Sequence, residues 1–297
     1  MTRIGCVREA TLNIKRRMIR KGLCLILFLS PVFLPSHAGS QATEYTLGVV
    51  PQYASSAIYK AWLPFAEYLS QRTGITIKLK LSKSFPEFER DLTDGAFDFV
   101  FMNPYQQARS REKQGYIPLV HDSADQLTGI LVVPRDSPIT SVKELDGAKI
   151  AFPSPNSFAA SLYPRALLIA QEKISFTPEY VNTHDNVYRH VIVGRATAGG
   201  GVRKTFQKQP PAVQEQLRVI YETPGVTPHP LSAHPRVPEN VRQDVVMAIL
   251  DLSQTREGSQ MLADIAIPQP TTANYYRDYG DLEKLDVDRY RVEDAEE

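Results

Sequence analysis

Ile150-Ala151-Phe152-Pro153-Ser154-Pro155-Asn156-Ser157-Phe158-Ala159-Ala160-Ser161 is the stretch whose reading decides the fold. Its apolar beginning predicts a strand over residues 149–152, and the pattern from Phe158 predicts a helix over residues 158–173. Between them lies a short polar turn with two prolines. A strand running through such a turn into a helix is the repeating unit of α/β proteins. The first turn of a helix leaves backbone N–H groups without intrahelical partners, and the helix dipole adds partial positive charge there. At the carboxyl end of a sheet strand, that is a ready place for an oxyanion. Taken alone, the same residues read more readily as helix caps, with Ser154, Asn156 or Ser157 accepting from the first turn.

Outward from this stretch the pattern repeats. Apolar strands at residues 45–50, 77–81, 98–102 and 117–120 alternate with amphipathic helices at 55–73, 86–93 and 105–113. Pro64 inside the first helix predicts a break near Leu63, because proline lacks the N–H and clashes with the preceding turn. The alternation restarts after a strand at 130–133, with strands at 149–152, 179–181, 198–200 and 219–221 and helices at 158–173 and 185–193. Strands separated by single helices predict a mainly parallel sheet in each half, with helices on both faces. Five prolines between residues 223 and 238 predict an extended crossing without regular structure. Helices at 239–253 and 257–265 then have no sheet of their own and must pack back on the first half. Beyond Pro268 the chain is polar and tyrosine-rich, expected to be ordered to about residue 276 and frayed beyond 292.

The expected architecture is therefore an α/β clamshell of two lobes. Lobe one takes residues 39–129 and 231–280, lobe two takes residues 130–230, and residues 281–297 form a C-terminal tail. Crossings near 126–132 and 222–234 would act as a hinge for closure around a ligand.

The N-terminus is a different kind of chain. Seven bases and one acid crowd residues 1–21, the apolar run from Gly22 to Leu34 follows, and Ser36-His37-Ala38 supplies a small-x-small site. That is the pattern of a secretory signal cleaved near Ala38, its apolar run being too short for a bilayer span of roughly 20 residues. Met18 would leave a more usual charged stub if translation began there. The whole chain has 297 residues and a net charge of +1. Loss of the signal removes seven bases and one acid, so the charge falls from +1 to −5. Both cysteines, Cys6 and Cys24, leave with it, which excludes internal disulfides, thiol chemistry and cysteine-built zinc sites from the exported protein. A net-acidic chain with 23% charged residues gives no basis for a nucleic-acid partner.

Several segments, taken in order, carry a resemblance. They are Leu47-Gly48-Val49-Val50-Pro51, Trp62-Leu63-Pro64-Phe65-Ala66-Glu67-Tyr68-Leu69 and Phe99-Val100-Phe101-Met102-Asn103-Pro104-Tyr105, followed by Ser141-Val142-Lys143-Glu144-Leu145-Asp146-Gly147 and Asn182-Thr183-His184-Asp185. Across residues 45–265 the chain resembles the phosphate/phosphite/phosphonate-binding family of ABC-transporter substrate-binding proteins, which have the type II periplasmic-binding fold. The resemblance implies a periplasmic protein, expected to be a monomer, that captures a small oxyanion and hands it to an inner-membrane permease. It implies no cofactor. Carried over position by position, it points to Ser157 at the helix start, His184, Tyr105 and Tyr53 as ligand contacts, with Asn156 and Ser161 replacing missing hydroxyl donors. A histidine can donate to an anion, and its charge ordinarily responds near neutral pH.

Two departures matter. The family's hydroxyl-rich Asp-Pro-x-Ser-Thr-Ser-Gly turn is here Ser154-Pro155-Asn156-Ser157-Phe158-Ala159-Ala160. The family's acidic partner for a ligand amine is replaced by Gly199-Gly200-Gly201-Val202-Arg203-Lys204. The glycines permit positive φ or close backbone approach. Arg203 offers a guanidinium fork to an anion, or else begins a solvated helix. An aminoalkylphosphonate is thus a poor expectation, and a simple oxyanion a better one. His229 and His234 have a conceivable metal spacing but no supporting carboxylate pair or cysteine, so no metal is expected. No Gly-Lys-Ser/Thr follows the glycines and no nucleophile elbow is present, so an enzyme is not expected. The alternative on the same fold is an exported ligand sensor acting with a membrane kinase or cyclase.

Overall fold

The computed structural model describes residues 43–292. The signal segment expected over residues 1–38 lies outside the described residues, as do the last five residues of the tail. Among the described residues no helix is long and apolar enough to cross a membrane.

The first half builds βαβ units. Strand β1 (Glu44–Val49) leads to helix α1 (Ser55–Thr73), β2 (Thr76–Lys80), α2 (Phe85–Thr93), β3 (Phe99–Phe101), α3 (Pro104–Gln114) and β4 (Ile117–Asp122). Ile58, Trp62, Phe65, Ala66 and Leu69 form the buried stripe of α1, the 3.6-residue spacing expected of a helix lying on a sheet. Gly74 closes α1 in the left-handed conformation, its N–H donating to the Ser70 carbonyl. Pro64 does not break the helix. It sits on the exposed side of α1, where the carbonyl it leaves unbonded can be hydrated.

The chain then enters a second sheet with β5 (Gly129–Pro134), followed by β6 (Lys149–Phe152), α4 (Tyr163–Ala170), β7 (Thr177–Tyr180), α5 (His184–Ile192), β8 (Ala198–Val202), α6 (Arg203–Gln207), α7 (Pro211–Gln214) and β9 (Leu217–Glu222). The helix expected from Phe158 begins instead as a wider π-type turn, Phe158–Leu162, before α4. The chain returns through β10 (Leu231–Ala233), α8 (Glu239–Leu252), α9 (Arg256–Asp264), β11 (Pro270–Thr272) and α10 (Tyr275–Asp278), ending in two short 3-10 turns.

The strand order is β11-β4-β10-β3-β1-β2 in one sheet and β7-β6-β8-β5-β9 in the other. Both sheets are mixed rather than mainly parallel. Strands β1 to β4 share one direction, but β10 is inserted antiparallel between β3 and β4, and β11 runs antiparallel on the far side of β4. In the other sheet β6, β7 and β8 are parallel, while the incoming β5 runs against both β8 and β9. Each reversed inner strand is thus one that has just crossed between sheets. The proline-rich stretch is not wholly irregular. Pro230 and Pro235 flank Leu231-Ser232-Ala233, and this proline-free triplet pairs on both sides as a central strand. Nor do the last helices lack a sheet, since β10 and β11 join the first one.

The two crossings lie side by side. Leu127 N–H donates to the Val226 carbonyl at 2.7 Å and Val226 N–H donates back at 3.1 Å. The packed chain continues beyond residue 276, while the fraying expected beyond 292 lies outside the described residues. Tyr275, Tyr279, Leu282 and Val287 are buried in one apolar cluster with Tyr105, Phe158 and Leu162.

Candidate functional site

The cleft between the sheets is reached from the carboxyl ends of β1, β2, β6 and β7. Its outer part is a cavity lined by Ser55, Lys83, Ser84, Ser154, Thr183 and Tyr53. Three helices begin there. Ser84 caps α2 by accepting from Glu87 N–H, and Thr183 caps α5 by accepting from Asn186 N–H. Helix α1, the longest, has Ala54 in the cap position and no side-chain cap. Its first N–H groups therefore keep their donor capacity beside Tyr53, where the dipole favours negative charge.

Tyr53 lines both this outer cavity and an inner one beside the paired crossings. The inner cavity, about 230 Å³, is lined by Gln52, Phe101, Leu127, Val202, Lys204, Thr205 and His229, among others. The rings of Tyr53 and His184 are neighbours, tilted by 39° with centroids 6.5 Å apart. Burial, and then the charge of Asp185, pushes the Tyr53 phenol up to about 12, so it is a hydrogen-bond donor at neutral pH. His184 is buried, with Thr205 Oγ1 3.4 Å from its Nδ1, and burial brings its pKa down to about 4. The imidazole is therefore neutral, and the near-neutral charge response expected from its ordinary pKa is absent. His229 stacks on Phe101 and accepts from Gln52 Nε2 at 2.7 Å. Burial, then its neighbour His184, lowers His229 to about 3. His229 thus belongs to the cleft wall. His234 makes an unrelated contact, accepting from Arg236 N–H.

The other residues expected at the site are engaged elsewhere. Tyr105 stacks on Phe158 and donates to Asp288 in the C-terminal segment, which Arg109 also binds. Asn156 forms a two-point contact with Val292, donating to its carbonyl at 2.9 Å and accepting from its N–H at 3.1 Å. Its amide also donates to Glu89. Ser161 donates to the Pro155 carbonyl and accepts from Arg165. Ser157 precedes the π-type turn and makes no side-chain cap. Arg203 pairs with Glu222 and does not line the inner cavity.

Two residues that the sequence reading missed hold the second lobe's face of the cleft in shape. Arg165 is a buried guanidinium whose partners are Ser161, the Pro155 carbonyl and the Tyr290 carbonyl. It ties the 153–157 turn to the C-terminal segment. Lys204, one position beyond Arg203, points into the inner cavity and pairs with Asp122 across the sheets at 2.6 Å. The glycines of β8 adopt no positive φ, so close approach explains them. A Cβ on Gly200 would stand 2.2 Å from the Ala160 carbonyl oxygen, and one on Gly129 of β5 would stand 2.0 Å from that of Ala159. These two glycines let the π-type turn seat directly on the second sheet.

Two mixed sheets joined by paired crossings, with a donor-lined cleft between them, define a two-lobed solute-binding protein. The model of the phosphonate periplasmic substrate-binding proteins of ABC transporters matches residues 47–279, and the chain belongs to that family. The fold is similar to that of a binding-protein component of an ABC phosphonate transporter from Pseudomonas aeruginosa, at TM-score 0.74 and 14% identity over 84% of this chain and 88% of that one. It is also similar to a Prochlorococcus marinus protein solved with methylphosphonate, at TM-score 0.75 and 16% identity over 84% and 99%. A Xanthomonas citri protein solved with chloride matches at 0.71 and 17% over 83% and 98%.

Proposed function

We propose that the protein binds a small oxyanion of the phosphonate class in this cleft and presents it, lobes closed, to an inner-membrane ABC permease. The observation that carries the reading is the outer cavity, where the uncapped start of α1, Tyr53 and Lys83 line one small space. In this reading Tyr53 contacts the anion directly, and His184 supports it from behind as a neutral donor or acceptor. Tyr105, Asn156, Ser157, Ser161 and Arg203 shape the surrounding wall. Lobe one consists of residues 39–129 and 231–280, lobe two of residues 130–230, and the paired crossings are the hinge. The protein is exported by its N-terminal signal, works as a monomer and performs no covalent chemistry, since recognition and closure suffice.

Small-angle scattering with and without methylphosphonate tests the closure. Contraction on adding the ligand, absent in Tyr53→Ala, is the expected result. An unchanged profile at saturating phosphonate, phosphite and phosphate would count against it.

A further inference from the structure

Gln106, Arg109, Ser110 and Lys113 recur every three or four residues along α3 and therefore share one face of it. With Leu92 of α2 and Arg291 of the C-terminal segment, that face lines a cavity of about 200 Å³. The cavity shares no lining residue with either cavity of the cleft.

Its wall is rich in donors. Gln106 is 3% exposed, and its Oε1 accepts from Asn103 N–H at 3.1 Å, which fixes the orientation of the amide. The Nε2 group at the other end has no partner among the described residues, an unfavourable state for a buried donor. Lys113 and the half-buried Arg291 have no side-chain hydrogen bond or ion pair to a described residue. The dipole of α3 accounts for Lys113, which lies in its last turn. It gives no reason for Arg291, which arrives from another element. Two carboxylates bear on the charge balance. Asp288 pairs with Arg109, and Glu89 lines the wall and accepts from Asn156. With Arg109 set against Asp288, Lys113 and Arg291 still outnumber Glu89. A ligand made only of acceptors, and negatively charged, matches this inventory; a water would meet a donor and leave the charge.

We propose that this cavity is a second anion site, separate from the cleft, in which a small oxyanion of the sulfate or phosphate type bridges α3 and Arg291. The ion accepts from the Gln106 amide, Lys113 and the Arg291 guanidinium fork. It thereby fastens the C-terminal segment to α3. This goes beyond the oxyanion reading of the cleft and does not depend on it.

The test is a titration of the ¹⁵N-labelled exported protein with sodium sulfate, exchanged for sodium chloride at constant ionic strength so that screening does not change. Saturable shifts of the Gln106 side-chain amide resonances are expected, and they should persist in Tyr53→Ala. Arg291→Gln should weaken the binding at least about tenfold, as loss of a charged hydrogen-bonding group does. Lys113→Gln, a change at an exposed position, should act in the same direction. Amide exchange over residues 281–292 should slow with sulfate in the unaltered protein and not in Arg291→Gln. Absence of a saturable shift at Gln106 would overturn the proposal, as would an affinity unmoved in both variants. Loss of the shift in folded Tyr53→Ala would assign the response to the cleft and overturn the second site. Binding without slower exchange would overturn the fastening.

Discussion

Histidines 184 and 229 show how far burial can override a residue's ordinary chemistry. Each titrates near 6.5 when unfolded but is held to about 4 and about 3 in the fold. Below pH 6.5 the unfolded chain therefore takes up protons that the native state refuses, and stability must fall as pH falls. The slope is about 1.4 kcal/mol per pH unit for each imidazole, down to the folded pKa values. Denaturant melts between pH 7.5 and 4.5 should show this decline, and His184→Gln should flatten it. The same neutrality predicts phosphonate affinity nearly constant for the histidines between pH 6.5 and 8. Tyr53→Phe removes only a hydroxyl, so a roughly ten- to hundredfold loss of affinity with an unchanged melting temperature is expected, read by calorimetry. At this scale the sequence was partly informative. It singled out Tyr53 and His184, whose ring centroids lie 6.5 Å apart. It favoured Arg203 over Lys204, because one residue's difference at a helix start decides which side chain turns to the cleft, and no local pattern announces that.

At the scale of elements, the polar turn and its helix were legible from the alternation of apolar residues, but the π-type opening was not. Its cause is non-local, being the seat that Gly129 and Gly200 provide in neighbouring strands. Gly200→Ala should force the turn off the sheet, because the added methyl would meet a backbone carbonyl at 2.2 Å. A loss of at least about 2 kcal/mol in denaturant melts is expected. Strand β10 was hidden for a related reason. Three residues between prolines carry too little pattern to identify a strand, and only the two partners beside it make it one. The C-terminal segment was hidden by its polarity. Asp288 holds Tyr105 and Arg109 of α3, while Tyr290 and Val292 hold Arg165 and Asn156 across the cleft. Ending the chain after Gly280 removes all of these contacts and leaves Arg165 without one of its acceptors. A drop of several degrees in melting temperature is the expected outcome.

For the whole molecule, the two-lobed plan followed from counting βαβ units on either side of two crossings. The mixed character of the sheets did not, because strand direction depends on where each crossing strand inserts. The plan gives the function its mechanical form: Lys204–Asp122 and Asn156–Glu89 are among the contacts that join the two halves across the cleft. Cleavage near Ala38, as expected from the sequence, would leave a chain of charge −5 with no long-range attraction for an anion, so recognition would depend on the local donors of the cleft. The most direct test is calorimetric titration of the exported protein with methylphosphonate. A saturable heat with one site per chain, abolished by Tyr53→Ala, is the predicted result. No heat with methylphosphonate, phosphite or phosphate, from protein whose melting transition shows it folded, would contradict it.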